Sequence, residues 1–391
     1  MRIAYFTDMF PPQVNGVATA LANQACQLGK LGHNVLIFTP SMNHIHREKF
    51  KAKNVTVVYL PAISSLFYSE FKFTVFGLPR VIKHITKFNP DIIHLHSTFT
   101  IGMDAVIASK LFRKPLVATI HIYFTNSEYL RFVKYKLAAK LLDKFAIHYI
   151  KFLYNNCNLL LSPSKTLIDE LKQKRFRKVV HYLPNGISLK QPKFLSKKQK
   201  DSIRKKYNLK EKVVLHFGRL SYEKSIDVLI KSFSKLIKNH TNVSLLIIGD
   251  GPSKKTLIKQ VKKFGIEGSV VFTGLIDHHT LLSSGLLSIG DVFATASTME
   301  VNPMVVLEAM FYGLPIVGFK QAGLIELVSS NGYLAKDGNA EELTDNIGKI
   351  LLNQKLAYQM GKKSFQIIKQ YSIDKTTDQL LGFYDTLVNN T

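Results

Sequence analysis

The chain contains the stretch Thr298-Met299-Glu300-Val301-Asn302-Pro303-Met304-Val305-Val306-Leu307-Glu308-Ala309-Met310. Its two carboxylates, Glu300 and Glu308, stand at the ends of an almost wholly apolar run, although glutamate is rarely buried without a partner. A ligand that offers hydroxyl groups to both carboxylates would explain this placement. The simpler alternative is that each glutamate is solvated on a surface helix, and the stretch alone leaves both interpretations open.

The same stretch predicts a helix. Pro303 suits the first turn, where its missing N–H costs nothing, and Met304 to Tyr312 has a helix-forming composition that Gly313 ends. Glu300 then lies on the preceding loop and Glu308 about one turn inside the helix. Both side chains could face a cleft at the helix N-terminus, where the dipole and free N–H groups favour an anion.

Short apolar strands alternate with helical patterns on both sides of this stretch, as is typical of parallel α/β proteins. Lys190 to Lys212 is polar and rich in lysine, which suits a connection between two halves, and Asp374 to Val388 predicts a final amphipathic helix. We expect two doubly wound halves that face a cleft at the carboxyl ends of their strands. The predicted strands are Arg2–Thr7, Asn34–Thr39, Val55–Tyr59, Asp91–Leu95, Leu116–Thr119, Asn158–Ser162, Val179–Leu183, Val213–Phe217, Val243–Ile248, Val270–Thr273, Asp291–Ala294 and Ile316–Gly318.

The charge balance is unusual for a chain of 391 residues. Its 53 basic and 27 acidic side chains give a net charge of +26, which predicts attraction to nucleic acid, an acidic membrane surface or a phosphorylated substrate. Part of the lysine excess can also reflect a compositional bias of the source genome. Two cysteines, Cys26 and Cys157, make no disulfide framework and fit a reducing cytoplasm. The N-terminus lacks a signal-peptide layout, and no apolar run approaches the length of a bilayer span.

Several predicted loops carry groups that suit phosphate. Gly16 precedes a helix and lets backbone N–H groups approach a ligand, although an ordinary tight turn would look the same. Arg219 and Lys224 together suit a diphosphate, and the alternative is a Glu223–Lys224 surface pair beside a solvated Arg219. The chain has neither G-x-G-x-x-G nor G-x-x-x-x-G-K-[ST], which argues against a dinucleotide oxidoreductase and a P-loop NTPase.

Three histidines end neighbouring predicted strands. His94 and His96 form an H-x-H pair, but no H-E-x-x-H or cysteine partner accompanies it, so we expect no metal site. His121 ends the next strand at the expected cleft and is the better site candidate, with a hydrogen-bonded structural histidine as the alternative.

The segment from Arg131 to Tyr154 has helical composition and two kinds of side chain. A basic amphipathic helix of this kind is typical of a membrane-surface element, and a core-packing helix with a solvated lysine face is the alternative. The basic residues along one side are Lys136, Lys140, Lys144, His148 and Lys151. The apolar residues are Phe132, Leu141, Leu142, Phe145, Tyr149 and Phe152.

Taken together, these motifs resemble the retaining glycosyltransferases that use nucleotide sugars, carry an E-x7-E motif and have the two-domain GT-B fold. The resemblance covers nearly the whole chain and implies an α/β protein with two doubly wound Rossmann-like domains facing a central cleft. It implies an acceptor-binding domain at 1–188, a nucleotide-sugar-binding domain at 189–372 and a helix at 373–391 that packs back on the first domain. The supporting motifs are Pro12–Gly16, Gly32–Val35, His121, Ser162–Ser164, Pro184–Ile187, Gly218–Leu220, Glu223-Lys224, Gly249–Pro252, Phe272–Gly274 and Glu300–Glu308.

Within this family the chain most resembles enzymes that glucosylate diacylglycerol, and also phosphatidylinositol mannosyltransferases. His96–Gly102, Thr119–His121 and the basic helix carry the first likeness. It implies transfer of glucose from UDP-glucose to a lipid such as diacylglycerol by a cytoplasmic enzyme, peripheral on the inner face of the cell membrane and attracted to its anionic surface. The alternatives are a soluble sugar, polysaccharide or phosphatidylinositol acceptor, including mannosyl transfer from GDP-mannose. A nucleic-acid-binding protein is a further alternative, but no nucleic-acid module is recognisable and we expect no such partner.

The resemblance also implies roles for individual residues. Arg219 and Lys224 would bind the donor diphosphate and stabilise the charge that builds on it as the glycosidic bond breaks. Gly16 would let the N-terminal loop close over the diphosphate. Glu308 would accept hydrogen bonds from the ribose, and Glu300 would hold hydroxyls of the transferred sugar. Arg219, Lys224 and the helix N-terminus supply the positive charge, so we expect no metal or other cofactor.

The remaining expectations concern the sugar. His121 would bind it from the other domain, and Asn302 and Met304 would contribute to donor binding. The family often has Phe-Gly where this chain has Asn302-Pro303, and Gly where it has Asn15 and Ser225. These departures leave the charged residues unchanged and bear on the identity of the donor sugar.

Overall fold

The computed structural model describes residues 1–13, 15–41, 50–64, 72–121, 136–173, 178–190 and 192–389. The chain divides into two compact units, an N-terminal unit of Met1–Gly186 with Ile373–Thr391 and a C-terminal unit of Ile187–Ser372. Each unit is built on one parallel sheet with helices between the strands, which confirms the α/β class and the two Rossmann-like domains.

The sheet of the N-terminal unit has seven parallel strands in the order β3-β2-β1-β6-β7-β8-β9. Strands β1, β6 and β7 lie at its centre and are almost wholly buried, because helices cover a parallel sheet on both faces. A separate antiparallel hairpin pairs β4 with β5. The elements in chain order are β1 Arg2–Phe6, α1 Gly16–Lys30, β2 Asn34–Pro40, β3 Val55–Leu60, β4 Ala62–Ser64, β5 Lys72–Thr74, α2 Leu78–Phe88, β6 Ile92–Leu95, α3 Thr100–Phe112, β7 Leu116–Thr119, α4 Lys136–Asn155, β8 Leu159–Ser162, α5 Lys165–Gln173 and β9 Val180–Tyr182.

The sheet of the C-terminal unit has six parallel strands in the order β12-β11-β10-β13-β14-β15. Its strand order reverses between β10 and β13, which are neighbours in the sheet although three helices separate them in sequence. Ligands of open α/β sheets bind at such a switch point, beyond the carboxyl ends of the strands. The elements are α6 Lys197–Lys206, β10 Lys212–Phe217, α7 Ile226–Asn239, β11 Val243–Ile248, α8 Lys254–Lys263, β12 Val270–Gly274, α9 His278–Ser284, β13 Val292–Ala294, α10 Met304–Phe311, β14 Ile316–Phe319, α11 Ala322–Leu327, β15 Gly332–Ala335, α12 Ala340–Leu352 and α13 Gln354–Ile367.

The last helix, α14 Ile373–Asn389, returns to the N-terminal unit and packs on α1. Leu380 and Tyr384 are fully buried there. The hydroxyl of Tyr384 lies 2.5 Å from Nδ1 of His94, so this helix also supports the end of β6.

The predicted strand ends are correct to within one residue, but some elements are missing from the prediction. Helix α6 lies inside the segment 190–212, which we expected to be a connection. Its sequence signal is a capping box in which the side chains of Ser196 and Gln199 bond each other's backbone N–H groups. Strands β4, β5 and β15 are three or four residues long, too short to show an alternating pattern.

Within the described ranges, no helix is both long enough and apolar enough to span a bilayer.

Candidate functional site

In the C-terminal unit, the loops after β10 and β11 meet through their backbones. Gly249 and Gly251 adopt φ values of +141° and +158°, a region that side chains disfavour. A Cβ atom on Gly249 would lie 1.9 Å from the carbonyl oxygen of Gly218, and one on Gly251 would lie 2.4 Å from that of Leu220. Glycine is therefore required at both positions for the two loops to approach.

The N-terminus of α10 lies beside the loop that carries Arg219 and Lys224. A Cβ atom on Gly218 would lie 3.5 Å from Cγ1 of Val305, in the first turn of α10. The first N–H groups of a helix have no partner within it and carry partial positive charge. Pro303 is the N-cap with an extended conformation, one residue before the position that we predicted for it.

Lys224 and Glu300 form an ion pair at the carboxyl edge of this sheet. Nζ of Lys224 lies 2.6 Å from Oε1 of Glu300, and only 26% and 11% of the two side chains are exposed. Glu223 instead accepts a hydrogen bond from the hydroxyl of Ser221. Lys224 therefore pairs with the first glutamate of the E-x7-E motif, and the alternative surface pair with Glu223 is not formed.

Ser225 follows Lys224 at a position where the resemblance leads us to expect glycine. Its φ is +47°, in the left-handed region, where a residue with a side chain is about 1–2 kcal/mol less stable than in the right-handed one. This backbone conformation is one that glycine adopts without strain, and here serine adopts it.

The second glutamate of the motif, Glu308, is buried and hydrogen-bonded to a histidine. Oε1 of Glu308 accepts from Nε2 of His278 at 2.8 Å, and 3% of the Glu308 side chain is exposed against 43% of His278. The burial excludes the solvated-surface alternative for Glu308. Burial alone would lower the pKa of His278, but the hydrogen bond and the charge of Glu308 outweigh it and raise this pKa above its ordinary value of 6.5.

His278 was not among the site residues predicted from the sequence. It is the first residue of α9, and the carboxylate of Asp277 caps this helix by accepting from the N–H of Thr280 at 2.9 Å. The pair Asp277-His278 after the Gly274 loop was a usable cap signal. Its contact with Glu308 joins residues 30 positions apart and follows from the tertiary structure alone.

The other predicted donor-site residues lie in the same loops of the C-terminal unit. Arg219 is half-buried in the loop after β10, and Asn302 is buried between Glu300 and the start of α10. Met304 is the first residue of α10 and is buried.

Gly16 and His121 belong to the N-terminal unit. Gly16 is the first residue of α1, and Asn15 caps this helix because its Oδ1 accepts from the N–H of Ala18 at 2.9 Å. His121 is half-buried directly after β7, and its Nε2 lies 3.2 Å from Nδ1 of His96. One pocket joins the two regions and is lined by Met9, Val17, His96, Ser97, Thr98, Phe99, His121 and Tyr154.

His94 of the H-x-H pair is held by two hydroxyl groups. Nδ1 of His94 contacts Tyr384, and its Nε2 lies 2.8 Å from the hydroxyl of Thr119. In the part of the chain that the structure describes, no group of three or more histidine, cysteine, aspartate or glutamate side chains is arranged to hold a metal ion.

Helix α4 exposes large apolar side chains next to lysines. Leu141 and Phe145 are 62% and 71% exposed, and Lys140 and Lys144 are exposed beside them. Further along the helix, Leu153 is buried, and the hydroxyl of Tyr149 donates to the carbonyl of Phe99. Residues 131–135 of the predicted helix, with Phe132, lie outside the described residues. The exposed part of α4 therefore carries apolar side chains as well as lysines.

Two protein-family models match this chain. Glycosyltransferase Family 4 matches residues 14–191, and Glycosyl transferases group 1 matches residues 198–366. The chain is 27% identical to the alpha-monoglucosyldiacylglycerol synthase of Streptococcus pneumoniae, over 85% of this chain and 74% of that protein. It is also 27% identical to the GDP-mannose-dependent alpha-mannosyltransferase of Corynebacterium glutamicum, over 99% and 89%. The crystal structure of Anabaena Alr3699/HepE in complex with UDP superposes with a TM-score of 0.77 at 21% identity, covering 99% and 100%, which shows a common fold.

We expect the melting temperature of the wild-type protein to exceed that of His278→Gln by more at about pH 6 than at about pH 8.5. A group whose pKa is raised on folding stabilises the folded state below its unfolded pKa, here 6.5, and this stabilisation is lost as pH rises through the folded pKa. Scanning fluorimetry over this range measures the difference. The control is His279→Gln, which removes an exposed neighbouring histidine and leaves the contact between His278 and Glu308 in place. A pH-independent difference for His278→Gln would contradict the assignment.

Proposed function

The chain belongs to the family 4 glycosyltransferases of the GT-B fold, and we propose that it transfers glucose from UDP-glucose to a lipid acceptor such as diacylglycerol. The observation that carries the lipid acceptor is the exposed apolar and basic surface of α4, defined by Lys140, Leu141, Lys144 and Phe145. The Streptococcus pneumoniae relative is named as a monoglucosyldiacylglycerol synthase, which supports the same acceptor and sugar.

The C-terminal unit supplies the donor site in this proposal. Arg219 and Lys224 bind the diphosphate and stabilise the negative charge that develops on it as the sugar leaves. A sugar diphosphate already has a good leaving group, so positioning and electrostatics account for most of the catalysis. The positive charge comes from these side chains and from the N-terminus of α10, and no metal is assigned to the reaction.

The two glutamates act as hydroxyl-binding groups. In Glu300 and Glu308, Oε1 is already engaged by Lys224 and His278 respectively, while Oε2 makes no hydrogen bond with any described residue. An ionised carboxylate oxygen of this kind accepts strongly from a hydroxyl. We assign Glu308 to the ribose and Glu300 to the transferred sugar, with Asn302 and Met304 beside them.

The N-terminal unit contributes His121 to the sugar and Gly16 to the loop that closes over the diphosphate. Among the residues that the structure describes, we assign no carboxylate as the nucleophile of a double displacement. We therefore assign retention of configuration to attack by the acceptor hydroxyl on the face from which the diphosphate leaves.

We further propose that the enzyme works on an anionic membrane surface at the inner face of the cell membrane. A net charge of +26 favours such a surface, where each nearby lysine or arginine contributes about 1 kcal/mol of attraction. The apolar side chains Leu141 and Phe145 would enter the boundary between headgroups and acyl chains, as an interfacial helix does.

Mannosyl transfer from GDP-mannose is the second candidate. The Corynebacterium glutamicum relative is as similar as the lipid glucosyltransferase and aligns with almost all of this chain. The two candidates share the donor-site chemistry and differ in the base, the sugar and the acceptor.

Mass spectrometry of products from a matrix of nucleotide sugars and acceptors tests the proposal. We expect UDP-glucose with diacylglycerol to give a product heavier by one hexose. Lys224→Ala and Glu308→Ala should each lower this transfer about a hundredfold or more, because each removes a group that contacts the donor. The control is Lys235→Ala, which should leave transfer unchanged. Lys235 lies on α7, and its Nζ is 2.7 Å from Oε1 of Glu341 on α12.

Hexose transfer only to soluble acceptors would overturn the lipid assignment. Wild-type turnover in both Lys224→Ala and Glu308→Ala would overturn the donor site.

Vesicle sedimentation tests the membrane surface. We expect binding to anionic vesicles to exceed binding to neutral ones, and Leu141→Ser with Phe145→Ser to weaken it about tenfold or more, since each burial is worth about 1.5–3 kcal/mol. The matched control is Leu352→Ser, at a 70% exposed position at the end of α12. Equal binding of the wild-type protein to both vesicle types, or binding to neither, would exclude the surface role of α4.

A further inference from the structure

His96 and His121 form a hydrogen-bonded pair whose donor and acceptor have still to be assigned. Nδ1 of His96 lies 3.2 Å from Nε2 of His121, so one ring donates and the other accepts. His96 sits in a fixed position, because its ring stacks on His94 at 3.9 Å between centroids and meets the edge of Tyr5 at 4.6 Å. The charge and the other contacts of the two rings decide which ring donates.

Both rings are neutral at neutral pH. Burial, together with the neighbouring histidines His94 and His121, lowers the pKa of His96 well below its ordinary value. Burial lowers the pKa of His121 to about 4. A neutral imidazole carries one N–H and one bare nitrogen, so the hydrogen bond between the rings fixes the proton on each of them.

The other nitrogen of His96 decides between the two arrangements. Nε2 of His96 is buried and has no hydrogen-bond partner among the described residues. If His121 donated to His96, this nitrogen would carry a buried N–H without an acceptor, which proteins rarely tolerate. If His96 donates from Nδ1, its buried Nε2 is a bare nitrogen, and an acceptor without a partner costs less than a donor without one.

We propose that His96 is a positioning residue that donates from Nδ1 to Nε2 of His121 and so fixes His121 in the tautomer protonated on Nδ1. Nδ1 of His121 makes no hydrogen bond with the part of the chain that the structure describes, and His121 lines the pocket with Val17 and Ser97. Its N–H then serves as a donor to an oxygen of the bound sugar. This last step rests on the proposed function, whereas the tautomer does not.

The tautomer is measured in the full-length wild-type protein without substrate, by two-bond ¹H–¹⁵N spectra of ¹⁵N-histidine-labelled material near pH 7.5. The signals of His121 are assigned by their loss in His121→Gln. We expect Nδ1 of His121 to show the shift of a protonated nitrogen and Nε2 that of a bare one. The reverse pattern, or a charged ring, would overturn the proposal whether or not the protein transfers a sugar.

Two substitutions of His96 test its action through His121. In His96→Asn the side-chain amide can donate from the position of Nδ1, whereas His96→Phe keeps a ring and removes the donor. We expect kcat/KM for hexose transfer to fall about tenfold in His96→Phe, the effect of one hydrogen bond, and to stay within about threefold of wild type in His96→Asn. In His96→Phe the His121 signals should also move toward a mixture of tautomers.

An unchanged His121 tautomer and an unchanged kcat/KM in His96→Phe would overturn the positioning role. If no hexose transfer is found in the wild-type protein, the proposed function fails, and the wild-type spectrum still decides the tautomer.

Discussion

The ion pair between Lys224 and Glu300 is the contact on which the site of the C-terminal unit depends. Its partners are 76 residues apart in sequence and meet because β10 and β13 are neighbours in the sheet and end at the same edge. Breaking a largely buried pair leaves one charge unbalanced, so each side chain holds the other in place. The pair fixes the first glutamate of the E-x7-E motif beside the loop that carries Arg219 and Lys224.

The order of the parallel strands also explains where the second glutamate and the histidines lie. Glu308 is buried within α10 and accepts a hydrogen bond from His278, the first residue of α9. In the N-terminal unit, His96 and His121 follow the adjacent parallel strands β6 and β7, and Tyr384 of α14 supports His94 behind them. In both units, parallel strands end at the same edge of the sheet, so side chains from distant parts of the sequence lie close together there.

The sequence predicts the features that local pattern determines. Short apolar runs identify the central strands, and the spacing of Glu300 and Glu308 with Pro303 identifies α10. Short edge elements such as β4 and β15 carry too few residues to leave a pattern, and α6 was obscured by its lysines although its capping box was present. The partners of Lys224 and Glu308 were not predictable, because they depend on which strands are neighbours.

We propose that Arg219 and Lys224 form a diphosphate site beside Glu300 and Glu308. Calorimetric titration of UDP and GDP into the wild-type protein and into Lys224→Met measures this directly. At least one nucleoside diphosphate should bind the wild-type protein. Its affinity should fall as salt rises, and it should fall about tenfold or more in Lys224→Met. Equal affinity in the two proteins, or no binding of either nucleotide, would contradict it.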